Sequence, residues 1–340
     1  MKIVVTGGAG FIGSHLVELV LSKPEVEQVA VLDCLTYAGH LSNLRQVERH
    51  PRYHFAKIDL RDRNAVAHFI AKFQITHVLH LAAESHVDRS IASPADFIDT
   101  NILGTFHLLE GCRAAWQGGM ERCRFHHVST DEVYGSMDEE GRASELTRYA
   151  PNSPYSASKA ASDLLVRSYH RTYGLPTVVT NCSNNYGPRQ FPEKLIPILI
   201  QRLLQRQNLP IYGDGLHVRD WLHVGDHCDA LWLVLTLGRV GETYNIGANN
   251  EWPNLRLAEL ICDLADEVAP ELGESSRKLV TFVADRPGND RRYAIDSTKI
   301  REELGWSARR EFREELRNTI LWYRNNQDWI AAVRRDSLGR

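Results

Sequence analysis

Thr6-Gly7-Gly8-Ala9-Gly10-Phe11-Ile12-Gly13 stands between a short apolar run, Lys2 to Thr6, and an amphipathic segment, Gly13 to Leu21. The run reads as a strand and the segment as a helix, so the glycines occupy a strand-to-helix turn. Glycine permits a tight turn and close approach of the backbone to a pyrophosphate, and the helix N-terminus turns oriented N–H groups toward the anion. Gly7, Gly10, Phe11, Ile12 and Gly13 are therefore candidate nucleotide-binding positions. Asp33, twenty residues beyond Gly13 and just after the next apolar run, Gln28 to Leu32, can accept hydrogen bonds from an adenosine ribose. Its charge would repel a 2′-phosphate, which favours NAD over NADP.

The pattern continues outward. Asn64 to Phe73 reads as a helix, His77 to Ala82 as a strand, Ile98 to Ala115 as a long helix and Arg124 to Ser129 as a strand. Ser156 to Arg171 follows as a helix and Thr177 to Asn181 as a strand. Near-continuous apolar strands alternating with helices predict an α/β fold, a doubly wound parallel sheet of the Rossmann type. After about residue 185 the elements shorten and Pro192, Pro197, Pro210, Pro253 and Pro287 punctuate the chain, which predicts a smaller C-terminal substrate-binding region. The expected division is 1–184 and 185–330, with a soft boundary because Thr243 to Ile246 could return to the main sheet. Residues 331–340 are expected to be a tail, frayed from about Asp336. Asp59 and Leu60, after a third strand, are placed to touch the adenine. Leu81, Ala82, Ala83 and Ser85 follow a buried strand at the edge where open α/β sheets bind ligands, and the small alanines leave room for a nicotinamide ribose.

Composition narrows the class of function. Among 340 residues 43% are hydrophobic and the formal net charge is −3, enough apolar material for a core and no basic footprint for nucleic acid or an anionic membrane. Six cysteines lie scattered without metal-ligand spacing, and fifteen histidines form no ligand-spaced cluster, so no metal site is expected and the thiols suit a cytoplasmic protein. The adjacent His126 and His127 fall on opposite faces if their segment is a strand. The chain opens on a strand and has no long uncharged apolar run, so neither signal peptide nor membrane span is expected.

Chemistry is carried by two further stretches, Ser129-Thr130-Asp131-Glu132-Val133-Tyr134-Gly135 and Tyr155-Ser156-Ala157-Ser158-Lys159. On a helix, Tyr155 and Lys159 share one face a turn apart. Lys159 can then bond a nicotinamide ribose and, by its charge, lower the pKa of Tyr155, which can take a proton from a hydroxyl as hydride leaves the same carbon. Asp131 and Glu132 supply what an elimination needs, because neighbouring carboxyls push their pKa values apart and one can be acid while the other is base. A sugar diphosphate needs cations, and Lys194, Arg219 and Arg286 are available in the second half.

These motifs resemble the extended short-chain dehydrogenase/reductases that act on nucleotide sugars. The stretches Ala82 to Ser90, Ser129 to Gly135, Cys182 to Pro188, Phe191 to Pro197 and Asp285 to Gly288 are similar in particular to the dTDP-glucose 4,6-dehydratases, over about residues 1 to 330. The resemblance implies NAD-mediated oxidation at carbon 4, loss of water across carbons 5 and 6, and return of hydride to carbon 6. It assigns Tyr155 to the 4-hydroxyl, with Thr130 bonding the same oxygen, Glu132 to the carbon 5 proton and Asp131 to the departing 6-hydroxyl. It also implies that Ser85, Asn184, Glu193, Lys194, Leu195 and Asn254 face the substrate, that Pro210 and Tyr212 lie beside the base, and that Asn185 contacts the cofactor. A homodimer through the helices Ile98 to Ala115 and Ser156 to Arg171 is implied as well.

One position departs from the pattern. Asn289 stands where dTDP-specific relatives commonly carry histidine, and asparagine also occurs in relatives that use UDP-glucose, so UDP-glucose remains an alternative substrate. A nucleotide-sugar 4-epimerase would share Tyr155 and Lys159 but needs no acid/base pair for elimination. A non-catalytic NAD-binding sensor would have lost at least one of these groups, and all are present.

Overall fold

A computed structural model describes residues 1–273 and 275–338. Its strands are β1 (Lys2–Thr6), β2 (Gln28–Asp33), β3 (Tyr53–Lys57), β4 (His77–His80), β5 (Arg124–Thr130), β6 (Thr177–Cys182), β7 (Asn184–Tyr186), β8 (Leu209–Tyr212), β9 (Val218–His223), β10 (Thr243–Ile246), β11 (Glu251–Pro253) and β12 (Val280–Val283). Seven of them form one parallel sheet in the order β10-β6-β5-β4-β1-β2-β3. Strands run outward one way from β1 and the other way from β4, which opens a crevice at the carboxyl ends of these two neighbours.

The period of two along each strand feeds two cores. Ile3, Val5, Val29 and Val31 pack with Val17 and Val20 of the helix Phe11–Leu21 and with Leu231 and Val234 of the helix Val224–Leu237. Val4, Ala30, Leu32 and Val78 face the other way, against Val66 and Ile70, Leu108 and Leu109, and Val166 and Tyr169. A separate core joins Leu199 and Leu203, Leu257 and Ile261, and Leu316 and Ile320 in the C-terminal part. Beside it lie the three-stranded sheet β11-β9-β7 and the pair β12-β8.

The soft boundary at 184/185 is crossed by the chain: β10 joins the edge of the main sheet, and the helix Val224–Leu237 covers its face. The long helix expected over Ile98 to Ala115 is interrupted. It runs as a π-helix over Ile98–Gly104 and as an α-helix over Thr105–Ala115. The cause is Asn101, buried in the π segment, whose amide is committed to the backbone of Glu84 and to the Ser158 hydroxyl at 2.8 to 3.0 Å. The expected tail over 331–340 is a correction too, since the helix Gln327–Leu338 runs through it and buries Ile330 and Val333. Residues 339 and 340 lie outside the described residues. Among those described, no helix is long and apolar enough to cross a membrane.

Two glycines fix how the first helix meets the sheet. Gly7 has φ +68°, and a Cβ there would lie 2.8 Å from the Ala82 backbone at the end of β4. At Gly13 a Cβ would meet the Gly7 carbonyl at 2.2 Å. Gly13→Ala must therefore displace the loop, and a stability loss of about 1–3 kcal/mol is expected from urea unfolding, the usual cost of overpacking. An unfolding curve superimposable on the parent's would contradict this close approach.

Candidate active site

One cleft of about 660 Å³ runs along the carboxyl edge of the main sheet into the C-terminal region, and it is lined by every candidate residue named from the sequence. At one end lie Gly7, Gly10, Phe11, Ile12 and Gly13. The helix starting at Phe11 has no side-chain cap, so its first N–H groups face the cleft unclaimed by a capping side chain. The Asp33 carboxylate accepts from Ala9 N at 2.9 Å and Leu35 N at 2.8 Å, holding the glycine turn and the following loop together with one lone pair on each oxygen. Asp59 is gripped by the Arg61 guanidinium, which holds its carboxyl below the ordinary value, and Leu60 beside it is fixed by His107 on its carbonyl. Leu81, Ala82, Ala83 and Ser85 form the wall after β4. A nucleotide fits these residues: open helix-terminal donors, a carboxylate at the end of β2 and a wall without bulk.

The middle of the cleft is built by the end of β5 and the helix Pro154–Tyr173. Ser153 caps that helix by accepting from Ser156 N at 3.1 Å, and Pro154 at its first position suits the missing N–H. Lys159 is buried and donates to the Val128 carbonyl at 2.9 Å. Burial lowers its pKa, and Asp163, one turn further along, works to keep it charged. Burial would raise Asp163 itself, but His127, 3.1 Å away, together with the Lys159 charge and Ser129, outweighs this and holds the carboxyl below its ordinary value. His127 thus faces the helix while His126 faces the other layer through Thr180, as adjacent strand residues should.

Asp131 is 3% exposed, and its Oδ2 has no hydrogen-bond partner. Burial and then the Glu132 charge push its carboxyl well above the ordinary range, which favours the protonated form. Glu132 is only half-buried and accepts from the Ser156 hydroxyl at 3.2 Å. The expected lowering of Tyr155 is not what the structure gives: burial and the Glu132 charge hold the phenol well above its usual value, and a hydrogen bond with Thr130 only partly opposes this.

The far end holds three cations. Lys194 Nζ donates to the Ser85 carbonyl at 2.7 Å, and Arg286 pairs with Asp88 at 3.0 Å across the cleft. Arg219 lies over the Tyr293 ring at 4.3 Å and donates to the Asp290 carbonyl and to Asn289 Oδ1 at 2.9 and 3.1 Å. Burial lowers the proton affinity of both Lys194 and Arg219, the condition of cations placed to meet an anion. Asn184, Asn185, Glu193, Leu195, Pro210, Tyr212 and Asn254 complete the lining. Trp221 was not singled out from the sequence, yet it lines the cleft with an indole N–H that has no partner. It stands two residues after Arg219 on β9, and that spacing puts both on one strand face.

A family model described as GDP-mannose 4,6 dehydratase matches residues 4–319. A dTDP-glucose 4,6-dehydratase of Shigella flexneri is 52% identical, over 98% of this chain and 96% of that protein. The crystal structure of DesIV, a dTDP-glucose 4,6-dehydratase from Streptomyces venezuelae with NAD and TYD bound, superposes with a TM-score of 0.90 at 46% identity, covering 98% of this chain and all of that one. The chain belongs to the dTDP-glucose 4,6-dehydratase family. A UDP-glucose 4-epimerase of Thermus thermophilus also shares the fold, with a TM-score of 0.83 at 33% identity over 96% of this chain and all of that one. So widely shared a scaffold does not by itself tell a dehydratase from an epimerase.

The buried acid of this dehydratase-family chain carries a pH signature. A carboxyl raised on folding costs nothing below its unfolded value, near 3.8, and opposes folding increasingly as pH rises above it. Asp131→Asn removes that cost. The variant is expected to match the parent's melting temperature in acid and to exceed it at pH 7 to 8; equal melting temperatures across the whole range would contradict a buried Asp131 with a raised carboxyl.

Proposed function

We propose that this chain converts dTDP-glucose to dTDP-4-keto-6-deoxyglucose, acting as an NAD-dependent hydro-lyase. One observation carries the reading: a buried Asp131, its carboxyl held above the ordinary range, adjoins the half-buried carboxylate of Glu132 in the cleft that also holds Tyr155. An epimerase has no use for that pair.

When bound, NAD supplies the acceptor that takes hydride from carbon 4 and the donor that returns it to carbon 6. Tyr155 takes the proton of the 4-hydroxyl while Thr130 holds the oxygen; for this the phenol must be ionised, and the Lys159 charge, which also holds the nicotinamide ribose, would work with the positive nicotinamide ring against the burial that raises it. The new 4-keto group makes the carbon 5 proton acidic, and Glu132 removes it. Asp131 gives its proton to the 6-hydroxyl, the carbon–oxygen bond breaks and water leaves. Glu132 then returns a proton to carbon 5, and the proton first taken by Tyr155 resets Asp131 through solvent. Arg219, Arg286 and Lys194 meet the diphosphate, with Asn184, Glu193, Leu195 and Asn254 on the sugar side and Pro210 and Tyr212 beside the base.

The departure at Asn289 does not weaken the choice of thymidine substrate. Its amide accepts from Arg219 and donates to Asp285 at 2.8 Å, so it bears on a diphosphate-binding arginine. Incubation with dTDP-glucose should give a product lighter by one water, detected by mass spectrometry, at higher kcat/KM than with UDP-glucose. No water loss from either substrate would overturn the reading. Tyr155→Phe should slow the first oxidation by about 10²-fold, the scale of general acid/base groups, read as slower growth of enzyme-bound reduced-cofactor absorbance.

The same reading includes a cytoplasmic homodimer. Ile91, Ile98, Leu103, Leu164 and Tyr173 are 42 to 57% exposed on the helical stretches 87–115 and 154–173, a concentration of apolar surface that a second copy would cover. Light scattering is expected to give twice the chain mass, and Leu164→Arg to shift it toward the monomer. A parent protein monomeric at micromolar concentration would remove the dimer.

A further inference from the structure

Serines buried in a helix ordinarily turn their hydroxyls back onto carbonyls of their own helix. Two in the Pro154–Tyr173 helix do so: Ser158 Oγ donates to the Tyr155 carbonyl at 2.7 Å, and Ser162 Oγ to the Lys159 carbonyl at 2.8 Å. Ser156 is the exception. Fully buried, it donates to Glu132 Oε2 at 3.2 Å, a residue twenty-four positions earlier on another element. The helix cap does not need this hydroxyl, because the cap is made by Ser156 N–H on Ser153 Oγ.

Hydrogen counting fixes the direction of the chain. Each hydroxyl has one hydrogen, and Ser153 Oγ and Ser156 Oγ lie 2.7 Å apart. Since a carboxylate can only accept, the Ser156 hydrogen goes to Glu132 and the Ser153 hydrogen goes to Ser156. The two hydroxyls form a directed pair ending on one carboxylate oxygen. Glutamate has three rotatable side-chain bonds, and Glu132 is half-buried at the cleft, so without a donor its carboxylate would sample several positions. At the other end of the same peptide stretch, Glu132 N–H donates to Thr130 Oγ1 at 3.3 Å. Glu132 is thus tethered at its backbone by one substrate-facing residue and at its head by Ser156.

We propose that Ser156, backed by Ser153, is a positioning residue for the carbon 5 base: it aims the Glu132 carboxylate, and so serves elimination without serving oxidation. The inference rests on the assignment of Glu132 above. Ser156 adjoins Tyr155 in sequence, so consecutive residues of one helix turn serve the two proton transfers, Tyr155 directly and Ser156 through Glu132.

The test uses the full chain loaded with NAD and separates the steps. In a single turnover with dTDP-glucose, oxidation is read from the rise of reduced-cofactor absorbance and elimination from its fall. Proton removal at carbon 5 is read independently, from solvent deuterium entering the sugar in quenched samples. For Ser156→Ala the rise is expected within about twofold of the parent, while the fall and the deuterium uptake slow by about tenfold to a hundredfold, the scale of a misplaced reacting group. Ser156→Thr, which keeps the donor, should restore both. Parent-like rates for every step in Ser156→Ala, or an equal slowing of oxidation and elimination, would overturn the proposal, the second because it marks a distorted helix. Glu132→Gln run alongside separates the two failures: if it blocks deuterium uptake while Ser156→Ala does not, only the positioning role falls. If Glu132→Gln exchanges normally, the base assignment falls and the proposal with it.

Discussion

The site depends on the close approach of two neighbouring strand ends. β1 and β4 pair in parallel, yet their connections leave in opposite directions, and the backbone after β1 passes so near Ala82 that position 7 tolerates no side chain. That approach brings the nucleotide turn, the wall at Leu81 to Ser85 and the end of β5 onto one edge. A run of hydrogen bonds then ties the edge to the helix Pro154–Tyr173. Thr6 Oγ1 meets His80, His80 meets Thr105, and Thr105 donates to the carbonyl of Asn101, each at 2.6 to 2.9 Å. Asn101 donates to Ser158 at 2.8 Å and Ser158 to the Tyr155 carbonyl at 2.7 Å. The π segment at Ile98–Gly104 is the local irregularity that lets Asn101 serve both ends.

Around this frame, chemistry is obtained by placing charge where water is excluded. Asp131, Lys159, Asp163 and Arg219 are all buried, and each is governed by a different neighbour. Asp131 is answered only weakly, by Arg219, and its carboxyl is raised well above the ordinary range. Asp163 is answered by His127, Lys159 and Ser129 together, which hold its carboxyl below the usual value, and its charge in turn supports Lys159. The same low-dielectric surroundings thus give one carboxyl as acid and another as permanent anion. Such groups oppose folding while they serve function, and the three apolar cores carry the difference.

Much of this was written in the chain. The strand–glycine–helix order and the alternation of apolar runs predicted the parallel sheet, and Thr243 to Ile246 was recognised as a segment able to return to it, because buried parallel strands have continuous apolar runs that survive as local patterns. The candidate site residues were legible as candidates for a related reason: glycines at a turn, a Tyr–Lys pair one turn apart and adjacent acids are short-range motifs, and the fold brings all of them to one cleft. What spacing cannot carry is environment. Nothing in Ser129 to Gly135 says that Asp131 is closed off while Glu132 is half-buried or that Tyr155 is raised by its surroundings, and nothing around Trp221 says that it lines the cleft with its indole N–H buried and unpartnered. The helix expected over Ile98 to Ala115 failed at the π segment because one buried amide with distant partners outweighed the periodicity, and the expected tail proved to be helix because Ile330 and Val333 find a core that only folding assembles. The sequence by itself determined the sheet, the nucleotide turn and the set of reactive groups, all encoded in neighbours a few residues apart. The tertiary structure decided their protonation and their aim, because both are set by residues brought together from across the chain.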